Sequence, residues 1–332
     1  MRQRCRVAGG KSVARWISLV EPSGMELTEA ARAWREDGFV ILPGFIPPEE
    51  LKPAADELEL LFPSPDAFHD GTDPRRERFF GGQFAGIDYF PFASTEISLM
   101  AVHPRILGLA EALLGEESIQ IYGAEAWAKF AGASDYDQNI HMDYLGHSLL
   151  VPSSAPGFQQ LEMFVYLADV PEDCGPAHLV ARRHSQDLPA VPDRYLRPGF
   201  ESGSRFHQPG GSPLYDVEVS AAGPAGTVVA FEAGTFHRGT GMTAPRGARY
   251  TMHLNYRPAA VTWGQRRGWA YTAVQEEWYS FVSRASPRQL QAFGFPPPGH
   301  PYWTPQTLAG MSLRYPDLDL SAWAKKPYLN RT

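Results

Sequence analysis

The sequence predicts an α+β protein whose strands form a β-barrel or jelly-roll core. Three observations lead there. Apolar residues recur at helical spacing near the N-terminus, strand-like segments fill the chain from residue 119, and one of those segments commits both of its faces.

In "MELTEAARAWREDGFVILPGF", Leu27, Ala30, Ala31 and Trp34 fall at i, i+3, i+4 and i+7, one face of a helix. Thr28 is placed to cap that helix and Gly38 to end it. "FVILPGF" reads as a short strand and turn. "PPEELKPAADELELLF" reads as a second helix entered through prolines, and "PRILGLAEALLGEE" as a third, closed by Gly115. Residues 63–98 read as loop-rich and aromatic, with "RFFGGQFAGIDYFPF" too rich in Gly and Phe for a regular helix and its rings assigned to packing. "IQIYGAEAWAKF", "LEMFVYLAD", "TVVAFE" and "RYTMHLNYR" then read as strands between Pro- and Gly-rich turns.

In the last of these, Tyr250, Met252, Leu254 and Tyr256 make an apolar face, and Arg249, Thr251, His253, Asn255 and Arg257 a polar one. Such a strand suits a wall with core on one side and a wet interior on the other. Residues 186–220 make a connection long enough to act as a lid. Beyond 258, Trp, Pro and Tyr mix with short helices such as "SPRQLQAF". Residues 1–24, Arg-rich and acid-poor, are expected to be a poorly ordered extension. That leaves 25–332 as a single domain, with its core at about 119–258 and a C-terminal extension over 259–332.

With 332 residues, 43% of them hydrophobic, the chain is long enough to bury a sizeable core. A net charge of −7 offers no basic footprint for nucleic acid or an anionic membrane surface. No apolar run approaches the roughly 20 residues that span a bilayer. Two cysteines, Cys5 and Cys174, are too few for a disulfide framework or a zinc cluster, which fits a reducing, cytoplasmic compartment.

The chemistry concentrates in "NIHMDYLGHS". His141 and Asp143 stand two apart, so on a strand they share a face. A distal partner, His237, follows a strand in "GTVVAFEAGTFHRGTGM". Two histidines and a carboxylate on one face of a metal leave positions open for a cosubstrate and O2, as non-haem Fe(II) oxygenases need. The same donors describe a hydrolytic zinc site, and a cupin-like protein that binds without turnover is a third reading. His147 reads as a solvent contact or a partner of a ligand, and His178 and His184 as structural or at the pocket rim. His253 is either a substrate contact or a satisfied interior histidine. Lys129 is within reach of the pocket, although a lone strand lysine is usually solvated.

From about residue 26 to 258 the chain resembles the phytanoyl-CoA dioxygenase family of Fe(II)/2-oxoglutarate oxygenases. "AARAWREDGFVILPGFIPPEEL" resembles its opening helix and strand, and "NIHMDYLGHS" its His-x-Asp segment, with "AWAKF" upstream. "FVYLADVPEDCGPAHLVARRHS" resembles a segment that in relatives ends in Pro-Gly-Ser-His, and "GTVVAFEAGTFHRGTGMTAPRGARYTMHLNYRP" the distal-histidine strand, turn and arginine strand. The resemblance implies a double-stranded β-helix, with Fe(II) on His141, Asp143 and His237, O2 as oxidant, and 2-oxoglutarate as cosubstrate. It also implies that Arg249 holds the far carboxylate of 2-oxoglutarate, with Arg246 the alternative because the turn is one residue longer than usual. Phe164 matches an aromatic beside the cosubstrate, and Thr240 or Thr243 offers it a hydroxyl.

The chain departs from the family at "ARRHS", at Arg238 and at Thr240, where many relatives carry Gly and Ser at the last two. An aspartate at 143, in place of Gly or Ala, points away from the halogenating subset. The expected reaction is hydroxylation of a C–H of a small-molecule metabolite or natural-product intermediate, releasing succinate and CO2. A carboxylate anchor at Arg249 has no use in a hydrolase, and an intact triad has none in a mere binding module.

Overall fold

The computed structural model describes residues 24–82, 84–133, 136–143, 146–150, 153–187, 211–266 and 268–324. Helix α1 (Gly24–Asp37) starts before Thr28, which therefore lies inside the helix and does not cap it. It buries Ala30, Ala31 and Trp34, the face its spacing predicts. Gly38 ends it at φ +82°, a left-handed geometry open to a residue without a Cβ. Strand β1 (Phe39–Leu42) follows directly, with all four residues buried.

The expected second helix is two, α2 (Pro48–Asp56) and α3 (Leu58–Leu61), divided at Glu57. The stretch expected to be loop-rich holds α4 (Pro65–His69), a 3-10 turn at Pro74–Phe79, β2 (Asp88–Tyr89) and α5 (Thr95–Met100). Serine side chains open both helices: Ser64 accepts from the Ala67 amide and Ser94 from that of Ile97. Helix α6 (Pro104–Leu114) stops at Gly115, φ +69°.

Thr95–Leu114 holds an 18-residue window with a mean hydropathy of 1.4, enough to cross a membrane by length and composition alone, although Arg105 and Glu111 interrupt it as an apolar run. The stretch is broken between α5 and α6, and its apolar side chains, Ile97, Met100, Ile106 and Leu109 among them, are buried in the core.

Strands β3 (Ile119–Phe130), β4 (Leu161–Tyr166), β5 (Ala177–Leu179), β6 (Val219–Ser220), β7 (Val228–Glu232), β8 (His237–Gly239) and β9 (Ala248–Pro258) complete two antiparallel sheets. The larger sheet runs β1-β7-β4-β9-β3-β2 and the smaller β6-β5-β8. The core sheet thus begins before residue 119, because β1 pairs with β7 and β2 with β3. Between the sheets lie Phe39, Ile41, Tyr166, Leu179, Val229 and Phe231. The other face of the larger sheet packs Met163, Met252 and Leu254 against the helices through Trp34, Leu109 and Leu113. Each such side chain contributes about 1.5–3 kcal/mol by leaving water. The sheets form a jelly-roll arrangement and do not close into a barrel.

After β9 come α7 (Trp269–Thr272), α8 (Glu276–Arg284), α9 (Pro287–Ala292), α10 (Pro305–Arg314) and α11 (Ser321–Ala324). Helix α9 is the one read from "SPRQLQAF", with Ser286 and Gln289 forming a capping box. Phe281 and Trp278 of α8 meet Phe90 edge-on, so this extension closes the helical side of the core. The expected lid falls mainly on 188–210 and the expected N-terminal extension on 1–23. Both lie outside the described residues.

Candidate metal centre

His141 lies outside any strand and makes a single antiparallel bridge to His237, with paired amide–carbonyl bonds of 2.8 and 2.9 Å. The expected His-x-Asp strand is therefore one bridge in an extended segment. The bridge still sets the two histidines side by side, with ring centroids 4.7 Å apart. Each ring is fixed by its own backbone: His141 Nδ1 lies 2.7 Å from the Asn139 carbonyl, and His237 Nδ1 3.0 Å from that of Thr235. A carbonyl only accepts, so both Nδ1 atoms carry the proton in the neutral rings and both Nε2 lone pairs point away from it. They point at Asp143, whose Oδ1 and Oδ2 lie 3.4 Å from Nε2 of His141 and of His237 respectively.

The three ligand atoms lie within 4.8 Å of one another. Burial works against the charge on Asp143, but the neighbouring His141 and His237 outweigh it and hold the carboxyl well below its usual range. Burial works the other way on His237, and the hydrogen bond to Asp143 outweighs it, leaving the imidazole raised. A charged carboxylate facing two imidazole nitrogens is a donor set that fits a divalent transition metal.

The triad opens into a cavity of about 390 Å³. Arg249 lines the same cavity, 8% exposed, with no carboxylate in ion-pair contact among the described residues. Burial depresses its pKa, an effect that the nearby Tyr166 and Tyr136 oppose. A buried guanidinium with no carboxylate partner among the described residues, in the cavity that holds the metal-type donors, suits the carboxylate of a cosubstrate. A Cβ on neighbouring Gly239 would lie 2.8 Å from Gln138 Oε1 and 3.7 Å from an Arg249 nitrogen, so glycine keeps this corner open.

Phe164 also lines the cavity, its ring centroid 4.2 Å from that of His253 and 6.3 Å from that of His237. The other residues predicted beside the cosubstrate do not reach it. Thr240 donates its hydroxyl to the Pro176 carbonyl at 2.8 Å, and the Thr243 amide bonds the Asp173 carbonyl; neither lines the cavity. Both sit past the end of β8, where the chain has turned away. Arg246 is on the surface, paired with Asp66 and Asp70.

His147 lines the cavity and bonds Glu162 at 2.7 Å. His178 pairs with Glu218 outside it. His253 stacks flat on Trp127, centroids 4.4 Å apart. Lys129 is buried, not solvated, and donates to the Tyr136 hydroxyl at 2.8 Å. Trp127, Tyr136, Glu162 and Arg266 line the cavity without having been singled out in the sequence. Cross-strand register from β9 identifies two of them, since Trp127 pairs with Thr251 and Glu162 with Asn255.

Two solved structures share the fold, both of SnoN, a non-haem α-ketoglutarate-dependent epimerase from nogalamycin biosynthesis. One has a TM-score of 0.51 at 22% identity, covering 71% of this chain and 82% of SnoN. The other, in complex with Fe3+, α-ketoglutarate and a nogalamycin compound, has a TM-score of 0.50 at 20% identity, covering 71% and 85%. No sequence among curated proteins matches. A family model does: the one for phytanoyl-CoA dioxygenase covers residues 34–249, from the end of α1 through all three triad residues to Arg249. The chain belongs to the phytanoyl-CoA dioxygenase (PhyH) family, whose enzymes use Fe(II), 2-oxoglutarate and O2.

Proposed function

We propose that this chain hydroxylates a C–H of a small organic molecule, with His141, Asp143 and His237 holding Fe(II) and Arg249 holding the far carboxylate of 2-oxoglutarate. One observation carries the reading: the three converging donors share a cavity with a buried arginine that has no carboxylate partner among the described residues. Iron bound there supplies O2 activation coupled to decarboxylation of 2-oxoglutarate to succinate and CO2. The chain's own work is to orient and to exclude. The Asn139 and Thr235 carbonyls fix the imidazoles, so little reorganisation is needed when a metal arrives. The guanidinium fork fixes the cosubstrate's direction through two charge-assisted bonds. Phe164 and the stacked pair Trp127–His253 make apolar walls that keep water from the reacting carbon.

Arg249 also argues against a zinc hydrolase on the same triad, because hydrolysis uses no dicarboxylate cosubstrate. The test is an anaerobic titration with Fe(II) and then 2-oxoglutarate, following the charge-transfer absorbance of the ternary complex. A screen of small molecules for substrate-dependent succinate release, with product mass raised by one oxygen, comes next. Absence of the absorbance, together with a zinc-supported hydrolytic activity, would overturn the reading. Succinate release with an isomerised, unoxygenated product would retain the cofactors and replace hydroxylation.

A further inference from the structure

The cavity is polarised along its strands. At one end Lys129 stands opposite Arg249 in the β3–β9 register; six residues further along β9, roughly 20 Å at the usual rise, Asn255 stands opposite Glu162 of β4. The first end suits the cosubstrate carboxylate. The second end has a different composition, and most of its charge is already committed. Glu125 pairs with Arg266 at 2.9 Å and accepts from the Trp127 indole at 3.0 Å. Arg266 also donates to Asn255 Oδ1 at 3.3 Å.

Two polar atoms there remain uncommitted. Glu162 is 3% exposed and takes one hydrogen bond, from His147 Nδ1 to Oε1, so no described residue bonds its Oε2. Asn255 is 1% exposed, and with its Oδ1 facing Arg266 its Nδ2 has no partner among the described residues. Both residues line the cavity. One site is an obligatory acceptor and the other an obligatory donor, on directly opposed strand positions. A ligand that displaces water from this end of the cavity must answer both atoms or leave them without a partner.

A single group that both donates and accepts answers both atoms, and a hydroxyl is the compact form of it. A carboxylate or phosphate would face Glu162 with Arg266 already engaged, and an ammonium would face the Asn255 amide hydrogens. Building on the dioxygenase reading above, we propose that Glu162 and Asn255 form the substrate-recognition subsite and select an alcohol, whose hydroxyl donates to Glu162 and accepts from Asn255. The ligand atoms of Glu162 and Asp143 lie within 4.8 Å of each other. A hydroxyl held by Glu162 therefore brings its carbon to the edge of the candidate metal centre, so the oxidised carbon is at or next to the one that bears the hydroxyl. His147, which holds Oε1, is a positioning residue for that carboxylate.

The test is calorimetric titration of the full chain, loaded anaerobically with Fe(II) and 2-oxoglutarate, with three probes on one skeleton: cyclohexylmethanol, cyclohexylmethylamine and cyclohexanecarboxylate. Wild type should bind the alcohol at least about tenfold more tightly than either ion, the size of effect expected when a buried partner is left unmet. Glu162→Gln should remove most of that preference. Asn255→Asp, which replaces the donor by an acceptor and still suits Arg266, should turn the preference toward the amine. Melting curves identify any variant that fails to fold, and either variant alone then decides. Equal or tighter binding of the amine or carboxylate by wild type overturns the proposal, as does an alcohol preference that survives either substitution in a folded variant. The charge-transfer absorbance separates the two readings. Its absence with the alcohol preference intact defeats the dioxygenase reading alone, and its presence without the preference defeats only the subsite.

Discussion

Strand β9 faces two media. On one side Tyr250, Met252, Leu254 and Tyr256 sit at 0–6% exposure among helices and sheet. On the other, Arg249, Thr251, His253 and Asn255 line the cavity. The backbone is common to both, and only the alternation of side chains separates them. The lesson is a division of labour: substitutions on the first face should cost stability and spare the chemistry, and those on the second should do the reverse.

The largest effect that tests this division is on the metal. His141→Ala, Asp143→Ala or His237→Ala removes one of three donors and should abolish tight Fe(II) binding, beyond the roughly 10–100-fold that losing an outer partner of a ligand costs. Melting temperature in the metal-free state should hold. Unchanged iron affinity in all three variants would sink the assignment. Next comes Arg249→Ala. Removing one partner of a buried charge pair costs about 2–5 kcal/mol, so 2-oxoglutarate should bind about 30- to several-thousand-fold more weakly with iron affinity intact. Arg249→Lys should recover only part, since an ammonium lacks the fork.

The opposite face gives the converse result. Met252→Ala empties a fully buried site and should cost about 2–5 kcal/mol in denaturant unfolding, with the 2-oxoglutarate titration of the folded fraction unchanged. A smaller effect concerns acidity. His253 is held well below its ordinary pKa, first by burial and then by Arg249, Lys129 and Arg266. Below about pH 6.5 the unfolded chain takes up a proton there that the folded chain refuses, so stability falls as pH falls. One such group contributes a slope of at most about 1.4 kcal/mol per pH unit. His253→Gln should flatten unfolding free energy between pH 6.5 and 5 relative to wild type. Parallel curves for the two proteins would place the acid sensitivity elsewhere.

Why these faces were legible is a matter of period. The alternation in "RYTMHLNYR" assigns every residue from Tyr250 to Tyr256 to its proper side, and His-x-Asp spacing survives even though its segment is a lone bridge, because any extended backbone alternates. What alternation cannot say is what lies beyond a face. A strand lysine is usually solvated, yet Lys129 is buried on a face that looks into the cavity. Glu162 stands among apolar neighbours in "LEMFVY", and nothing in that strand's pattern says that its carboxylate faces a cavity. The short helices α4 and α5 carry too few turns for a legible period, although Ser64 and Ser94 mark their starts. Resemblance puts Thr240 and Thr243 beside the cosubstrate, but in this chain they bond the Pro176 and Asp173 carbonyls instead of lining the cavity.

The smallest expected effect separates two arginines three residues apart. Arg249 opens β9 with its side chain in the cavity, whereas Arg246 lies in the preceding turn, half exposed, and reaches Asp66 in the first turn of α4 and Asp70 just past its end. Sequence alone left either able to anchor the cosubstrate, because a one-residue difference in turn length moves a side chain to the other face. In the structure Arg246 already has two carboxylate partners and stands in water, where such pairs contribute little and are screened by salt. Arg246→Ala should therefore change stability little, with any loss fading as salt is raised. It should leave the 2-oxoglutarate titration within about twofold of wild type, a difference of about 0.4 kcal/mol. The measurement that decides is the pair of titrations, Arg246→Ala beside Arg249→Ala, on the Fe(II)-loaded proteins. A large loss for Arg246 with none for Arg249 would exchange their roles and leave the buried guanidinium of Arg249 without an explanation in the proposed chemistry.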